Sequence, residues 1–269
     1  MTTDELFEYK GYQIPVRLMY LTGGGPDSFD AISRSHIDLL EQHIGLFPDM
    51  RIVEIGCGIG RDAIPLTERL ARHGSYLGID VNREQIDWCI HHITSRYPNF
   101  RFQYFDIKED WYNPDGALAL TECRIPEASG SVDLIILQSV FTHMLPSDLR
   151  HYLFEFGRVL KSKGRVFTTF FLMTNEIFST QTEDSALFFY EFGDGVYIID
   201  PDHPTKTVAY EDEKLRSMLT EAGLEPAVPP IRGSWVGPHL RSQDIVIMAP
   251  QPARLAWWRR ISRVFSELR

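Results

Sequence analysis

The chain alternates between short, mostly apolar segments and longer segments in which apolar residues recur every three or four positions. The short segments are rich in β-branched and aromatic residues, which is typical of strands. They cover residues 51–55, 75–80, 100–107, 131–139 and 165–171. The longer segments predict amphipathic helices, and the clearest cover residues 37–44, 62–70, 82–97, 147–160 and 210–224. Strands that alternate with helices predict an α/β fold built on a parallel sheet.

Capping residues and glycines predict where several of these elements begin and end. Asn82 is followed by Gln85 three positions later, which predicts a helix start with a capping box. Ser147 predicts the start of the helix after the fourth strand. Gly164 predicts the end of that helix, because glycine adopts the left-handed conformation that commonly stops a helix.

Two segments interrupt the alternation and predict insertions after the third and fifth strands. Residues 108–130 are a long connection for a compact α/β domain, and their Trp111 and Tyr112 either stack on a ligand ring or pin the loop down. Aromatic residues around a glycine turn within 188–200 predict a hairpin, which either lines an acceptor pocket or packs as structure. Residues 233–248 predict the last two strands as an antiparallel hairpin.

Three glycines at alternating positions follow the first buried strand and precede a helix. Glycines let the backbone turn sharply and let a ligand lie against bare peptide groups. The dinucleotide-binding fingerprint needs a third glycine at the position of Arg61, so this loop does not fit it. The pattern is instead E-x-G-x-G-x-G, which begins at Glu54 and resembles motif I of the class I S-adenosylmethionine-dependent methyltransferases. The alternative is a tight structural turn.

This resemblance implies a fold, a cofactor and a set of loop residues that bind it. The expected fold is a doubly wound, Rossmann-like sheet of seven strands whose last strand is reversed, with the two insertions described above. The expected cofactor is S-adenosyl-L-methionine. The loop residues implied to contact it are Glu54, Gly56, Cys57, Gly58, Gly60 and Arg61.

Two acidic residues follow later strands, where ligands of open α/β sheets gather. Asp80 ends the second strand about 20 residues after the glycine loop, the spacing at which an acid binds ribose in dinucleotide folds. The resemblance assigns Asp80 and Val81 to the cofactor ribose, and Asp106 and Ile107 to its adenine. The alternatives are a helix cap at Asp80 and a solvated side chain at Asp106.

The residues after the fourth strand resemble the fourth motif of small-molecule methyltransferases. By that resemblance Gln138, Ser139 and His143 reach the methionine part of the cofactor. His143 is also a candidate general base for an attacking hydroxyl, because histidine exchanges protons near neutral pH. The alternatives to a general-base role for His143 are packing or an edge contact to the adenosyl group. His239 is a second candidate base, in a loop with Trp235 expected to face the acceptor.

The amino-acid composition and the net charge exclude some classes of protein. The chain has 269 residues and 43% hydrophobic residues, enough for a core that needs no disulfide or metal. We expect an N-terminal cap over residues 1–36, one methyltransferase domain over 37–250 and a separate tail over 251–269. The net charge of −10 argues against a general nucleic-acid binder. The three cysteines are dispersed without metal-binding spacing, so we expect no metal and a reducing cytoplasm.

The tail has a different character from the rest of the chain. Residues 251–269 carry five arginines against one glutamate and a loose apolar stripe that includes Trp258. A basic amphipathic helix of this kind suits an anionic membrane surface, here the inner membrane face, or a partner. The alternative is packing on its own domain or on a second copy. No run of about 20 apolar residues predicts a membrane span, and the N-terminus lacks the basic start of a signal peptide.

The favoured function is methyl transfer from S-adenosylmethionine to a hydroxyl of a small molecule, with a sugar or glycan hydroxyl as the first choice. A nicotinamide-dependent oxidoreductase would share the strand, loop and acid, but Arg61 disfavours it. A nucleic-acid methyltransferase would need a basic face, and the segment after the fourth strand lacks the expected N/D-P-P-Y/F signature. A non-catalytic binding protein on the same fold is the third alternative. The oligomeric state is left open.

Overall fold

A computed structural model describes residues 5–182, 185, 187–235 and 242–252 of the chain. It divides into two compact units, of which the first ends at Cys123 and the second begins at Arg124. This division falls inside the segment 37–250 that the sequence predicts as one domain. Most of the tail, together with the loop that holds His239, lies outside the described residues.

The first unit begins with a hairpin and two helices. Strands β1 (Leu6–Tyr9) and β2 (Tyr12–Pro15) pair antiparallel, and helices α1 (Val16–Tyr20) and α2 (Pro26–His43) follow. The helix predicted from residue 37 thus begins at Pro26, so position 36 is not an element boundary. Pro26 suits the first helical position because its missing N–H has no partner to lose there.

Three parallel strands and their helices complete the first unit. The order along the chain is β3 (Arg51–Ile55), α3 (Ala63–Leu66), β4 (Ser75–Asp80), α4 (Arg83–Cys89), a π-helical turn (Ile90–Thr94) and β5 (Phe100–Tyr104). Strand β4 pairs with β3 on one side and with β5 on the other, parallel in both cases. The three strands predicted from apolar runs are confirmed, whereas the helix after the glycines is shorter than predicted. A 3₁₀ turn (Leu120–Glu122) lies in the long connection that follows.

The second unit contributes a mixed set of strands. Its elements are β6 (Val132–Leu137), α5 (Pro146–Val159), β7 (Leu160–Phe170), β8 (Leu172–Met173), α6 (Asn175–Thr180), β9 (Tyr190–Gly193), β10 (Val196–Ile198), β11 (Val208–Glu211), α7 (Asp212–Glu221), β12 (Leu224–Pro226) and β13 (Asp244–Pro250). Two 3₁₀ turns, Phe141–His143 and Pro204–Lys206, lie between them. Strand β6 runs parallel to β7, whereas β13 runs antiparallel to β7 and to β12.

Within the first unit β3, β4 and β5 pair parallel, and within the second unit β6, β7, β12 and β13 pair in mixed directions. The reversed direction of β13 beside β7 is the reversed last strand that the resemblance implied. The predicted Rossmann-like α/β class is therefore confirmed. Strands β3 and β6 are buried over nearly their whole length, which explains why they read as almost continuous apolar runs.

Three boundary predictions in the second unit are wrong. Helix α5 begins at Pro146, not Ser147, and ends at Val159. Residues 161–164 belong to β7, because the backbone is already extended at Leu160, where the strand begins to pair with Val132. The described partners of the last strand are β12 and β7 and do not include residues 233–235, the described part of the predicted hairpin partner. Ile231 makes an isolated bridge to Ile245.

The predicted aromatic hairpin is confirmed as β9 and β10, and it joins a separate four-stranded sheet with β8 and β11. Tyr197 of the hairpin packs in a buried cluster that includes Phe171, Phe189 and Trp235, whereas Tyr190 and Phe192 of the hairpin are exposed. Trp235, expected to face the acceptor, is only 3% exposed. Its indole N–H donates to the buried Asp244 carboxylate at 2.8 Å, so its role in the described structure is packing.

Candidate functional site

The glycine loop after β3 has a backbone that only glycine adopts easily. Gly56, Gly58 and Gly60 all have positive φ angles, +76°, +53° and +78°. A Cβ on Gly58 would lie 2.6 Å from Thr22 Cγ2, and one on Gly60 would lie 2.7 Å from Ile93 Cδ1. A side chain at Gly58 or Gly60 would therefore clash with neighbouring side chains of the protein, which agrees with the glycines of the motif.

Asp80 ties this loop to the next helix. Its Oδ2 accepts a hydrogen bond from the Gly58 N–H at 2.7 Å, and its Oδ1 accepts one from the Asn82 N–H at 2.8 Å. The Val81 N–H also bonds this carboxylate. Burial raises the pKa of Asp80, and these N–H donors oppose that rise.

The helix cap is a different residue, as predicted. Asn82 Oδ1 accepts a hydrogen bond from the Gln85 N–H at 3.0 Å, which caps α4. Asp80 is thus not needed as the cap and its carboxylate lies at the glycine loop. This position agrees with a ribose-binding role, which stays a prediction.

The N-terminal segment lies on the glycine loop. Thr22 Oγ1 accepts hydrogen bonds from the Ile59 N–H at 3.3 Å and from Gln85 Nε2 at 2.8 Å. Gln85 is buried, and its amide also donates to the Leu18 carbonyl at 2.9 Å. The sequence left open whether residues 1–36 cover the cofactor loop or extend along the surface, and these contacts place part of them on the loop. No local sequence signal marks Thr22.

Arg61 and Cys57 border the loop. Arg61 Nη1 donates to the Gly23 carbonyl at 3.4 Å, and its guanidinium lies 5.9 Å from the centre of the Phe29 ring. Burial raises the pKa of the Cys57 thiol well above its ordinary value, so Cys57 is an uncharged thiol at neutral pH.

Glu54 is an acid buried within β3. It is 4% exposed, and the Tyr76 hydroxyl donates to its Oε2. Burial, followed by the charge of Asp62, raises the pKa of Glu54 well above its ordinary value. Asp62 itself pairs with His36 Nδ1 at 2.8 Å. The carboxylate of Glu54 is therefore held inside the strand layer, and its predicted contact with a cofactor stays a prediction.

Asp106 and Ile107 follow β5. Asp106 Oδ1 accepts hydrogen bonds from the Tyr104 hydroxyl at 2.6 Å and from Asn113 Nδ2 at 3.2 Å. The Tyr104 hydrogen bond, with that of Asn113, lowers the pKa of Asp106, so its side chain is ionised at neutral pH. Ile107 is buried. Because β3, β4 and β5 are parallel neighbours, Gly56, Asp80 and Asp106 follow the same ends of adjacent strands. The adenine role of Asp106 and Ile107 is untested.

The candidate residues of the second unit lie beyond the carboxyl end of β6. Gln138 is half-buried and Ser139 is exposed. Ser139 has a φ of +59°, which is strained for a side chain other than glycine. Its N–H donates to Thr169 Oγ1 at 2.8 Å, and its Oγ accepts from Gln243 Nε2 at 2.8 Å. Strain of this kind persists where neighbouring groups fix it, and it is common at functional sites.

His143 is held in one tautomer. Its Nδ1 lies 3.2 Å from the Thr205 carbonyl oxygen. A carbonyl can only accept, so Nδ1 carries the hydrogen and Nε2 of the neutral ring keeps its lone pair. That is the form a general base needs. The other candidate base, His239, lies outside the described residues.

Metal and membrane features are absent from the described part of the chain. No group of three or more His, Cys, Asp or Glu side chains there could hold a metal ion. None of the helices in that part is long and apolar enough to cross a membrane.

Comparison with known proteins relates part of the chain to a described family. Residues 52–164 match the family described as "Methyltransferase domain". This segment contains the glycine loop, Asp80, Asp106 and His143. Together with the fold, the match confirms the resemblance to the class I methyltransferases, the family that uses S-adenosylmethionine as its cofactor.

A curated relative and two solved structures show what the chain resembles. An arsenite methyltransferase from Aquipseudomonas alcaligenes is 24% identical over 170 residues, which are 63% of this chain and 46% of the relative. The chain thus matches less than half of that relative's length. A Pyrococcus horikoshii protein, PH0226, aligns with a TM-score of 0.58 at 13% identity, over 86% of this chain and 93% of that one.

The second structure contains ligands. It is the 1,6-didemethyltoxoflavin-N1-methyltransferase of Burkholderia thailandensis, with its substrate and S-adenosylhomocysteine bound. It aligns with a TM-score of 0.53 at 17% identity, over 82% of this chain and 79% of that one. At these identities the structural likeness establishes the fold and no more.

Proposed function

We propose that this protein transfers the methyl group of S-adenosylmethionine to a hydroxyl of a small molecule, with a sugar hydroxyl as the favoured acceptor. The observation that carries the proposal is the arrangement at the ends of β3 and β4. There the bare peptide of the glycine loop meets the Asp80 carboxylate at Gly58, 2.7 Å away. Such a loop admits the amino-acid part of the cofactor, and an adjacent carboxylate accepts hydrogen bonds from ribose hydroxyls.

The remaining cofactor contacts are proposed by the same logic. Asp106 is ionised and can accept a hydrogen bond from the adenine amino group, with Ile107 beside the ring. Gln138, Ser139 and His143 are proposed to contact the methionine part. Arg61 carries a positive charge next to the loop and suits the cofactor carboxylate.

Methyl transfer needs few catalytic side chains. The acceptor oxygen forms a bond to the methyl carbon while the carbon–sulfur bond breaks, which leaves S-adenosylhomocysteine. The protein supplies proximity and alignment, which are worth roughly 7–11 kcal/mol in well-oriented reactions. His143 Nε2 is proposed to take the hydroxyl proton, because the Thr205 carbonyl holds its ring in the required tautomer. His239 is kept as the second candidate base.

The acceptor assignment rests on side-chain chemistry. The Ser139 hydroxyl and the Gln243 amide form a hydrogen-bonded pair near the end of β6, and such groups suit a ring that carries hydroxyls. The relatives are named for other acceptors, arsenite in one case and a toxoflavin precursor in the other. The acceptor class therefore needs its own experiment.

Two measurements test the proposal. Calorimetry with S-adenosylhomocysteine and with NAD should show binding of the first and none of the second; the reverse would favour the oxidoreductase alternative. Incubation with methyl-labelled S-adenosylmethionine and a panel of sugars, phenols and amines should then transfer label to a hydroxyl. Label found only on nitrogen or sulfur would reject O-methylation. Binding without transfer to any acceptor would favour the non-catalytic alternative.

Residues 251–269 support a separate proposal about location. Their arginines and tryptophans suit attachment to an anionic membrane surface or to a partner. Removing them should abolish co-sedimentation with anionic liposomes, and equal sedimentation of both forms would reject this attachment.

A further inference from the structure

The loop after β5 is ordered by its own hydrogen bonds. The Leu118 N–H donates to the Asp106 carbonyl at 3.0 Å, and the Lys108 N–H donates to the Leu118 carbonyl at 2.9 Å. A Cβ on Gly116 would lie 2.4 Å from the Ile107 carbonyl, so the backbone crosses itself closely there. This connection is therefore a compact structure attached to Asp106.

Residues 109–113, which we call the aromatic turn, form its tip. Glu109 and Asn113 pair through their backbones, at 3.0 and 3.2 Å. The Glu109 carboxylate accepts from the N–H groups of Trp111 and Tyr112, at 2.9 and 2.7 Å. The Asn113 amide donates to the Ile107 carbonyl at 2.9 Å, in addition to Asp106. The backbone of the turn is thus fixed at both ends.

The aromatic side chains on this fixed backbone are nevertheless open to solvent. Trp111 is 46% exposed and Tyr112 is 45% exposed. About half of each aromatic side chain is therefore left in contact with water, although burying the whole of it would be favourable. The hydrogen bonds thus fix the backbone that carries two half-exposed rings, an arrangement that suits a preorganised ligand-binding surface.

The charges around the turn indicate which ligand suits it. Burial, then the negative charges of Glu109 and Asp80, raises the pKa of Tyr112, and Asp80 and Asp106 follow adjacent parallel strands. Asn113 joins the turn directly to Asp106. Two carboxylates that accept hydrogen bonds and two flat rings thus occur together. A ligand with a flat base and hydroxyl groups, a nucleoside, matches both.

We propose that the aromatic turn forms one wall of the nucleoside site, with Trp111 and Tyr112 in contact with the adenine ring and Asn113 positioning the turn against Asp106. This inference rests on the proposed function, because the nucleoside is that of S-adenosylmethionine. It assigns a binding role to a segment that the glycine motif and the strand-end acids do not include.

Calorimetry with S-adenosylhomocysteine tests the assignment. Trp111→Ala and Tyr112→Ala should each raise the dissociation constant roughly five- to hundredfold, the range that stacking of a base on an aromatic ring produces. Tyr112→Phe should retain most of the affinity, because it keeps the ring. Phe154→Ala is the matched control, since Phe154 is also exposed, at 47%, and lies on α5. Melting temperatures of the three alanine variants should stay within a few degrees of the wild type.

Methylthioadenosine lacks the amino-acid part of the cofactor, so its binding shows whether the turn contacts the nucleoside or the amino acid. If the turn contacts adenine, the Trp111→Ala/Tyr112→Ala double substitution raises the dissociation constant of methylthioadenosine by the same factor as that of S-adenosylhomocysteine. An unchanged dissociation constant for both probes would overturn the inference. A raised KM for the acceptor alone would overturn it too and would assign the turn to the acceptor. If the wild type binds neither probe, the proposed function fails instead.

Discussion

The Asp80 carboxylate and the Gly58 N–H are joined by a hydrogen bond of 2.7 Å. This contact connects the glycine loop after β3 to the end of β4, and the Asn82 N–H shares the same carboxylate. One side chain thereby fixes the loop and the start of α4. The motif and the acid that follows it about 20 residues later therefore act as one structural unit.

Asp80→Asn should weaken both the loop and the cofactor site. The new amide can accept from one N–H group but places its own NH₂ against the other, so the free energy of unfolding should fall by about 1–3 kcal/mol. The dissociation constant of S-adenosylhomocysteine should rise at least about tenfold, since every 1.4 kcal/mol is tenfold. Chemical denaturation and calorimetry measure the two effects. Asp115→Asn, at an exposed acid, is the control, and unchanged affinity in Asp80→Asn would reject the ribose role.

Gly58→Ala should be destabilising for two separable reasons. Its φ of +53° costs any other residue roughly 1 kcal/mol, and the new methyl would lie 2.6 Å from Thr22 Cγ2. Thr22→Ala in the same chain should recover the steric part but not the backbone part. A double-mutant cycle of unfolding free energies measures the coupling. Strict additivity of the two substitutions would show that Thr22 does not pack on the loop in solution.

Glu54→Gln should change how stability depends on pH. The folded protein raises the pKa of Glu54 through burial, so above the ordinary glutamate pKa the folded state holds a proton that the unfolded state has lost. The wild-type free energy of unfolding should therefore fall as pH rises through the raised pKa. Glutamine has no proton to lose and still accepts from Tyr76, so the variant should be more stable at pH 8, by on the order of 1–3 kcal/mol. Parallel slopes from pH 4 to 9 would contradict this.

Asp244→Ala should unfold the second unit more easily. The carboxylate accepts from the N–H groups of Leu172, Gly233 and Trp235, at 2.8, 2.9 and 2.8 Å. Removing it leaves three buried or half-buried donors unpaired, a loss of about 3–5 kcal/mol. Lys161→Ala removes an exposed ion pair and should cost less than about 1 kcal/mol. Equal midpoints for the two variants in guanidinium chloride would reject the assigned role of Asp244.

His143→Gln should lower kcat by a larger factor than it raises the dissociation constant of S-adenosylhomocysteine, because it removes both the base and one proposed cofactor contact. A positioned general base contributes roughly 10²–10⁴-fold, and glutamine cannot take a proton. His151→Gln, at a second histidine of the same unit, should keep wild-type kcat. Steady-state kinetics on the methylated acceptor provides the measurement. A wild-type kcat in His143→Gln would leave His239 as the candidate base.

Much of the first unit could be predicted because its signals are local. Alternating glycines specify a backbone with positive φ, and Asn82 with Gln85 specifies a helix start from adjacent residues. The strands β3, β4 and β5 are confirmed for the same reason, since the apolar runs of β3 and β4 reflect burial on both faces and the alternation in β5 reflects burial on one face. The prediction of a helix stop at Gly164 is wrong because the helix ends at Val159, where Leu160 starts to pair with Val132, and local propensity does not report that long-range pairing.

Short-range steric and periodic rules are enough to predict the class of fold, the glycine loop and the acids at the ends of successive strands from the amino-acid sequence. The contact of Thr22 with the loop follows only from the folded chain, because Thr22 is 37 residues from Ile59 and 63 from Gln85. The tertiary structure also decided that Trp235 is buried on Asp244 and that the aromatic turn is ordered while its rings stay exposed. Hydrogen-bond partners and burial at such separations depend on where the chain returns in space, which no local pattern encodes.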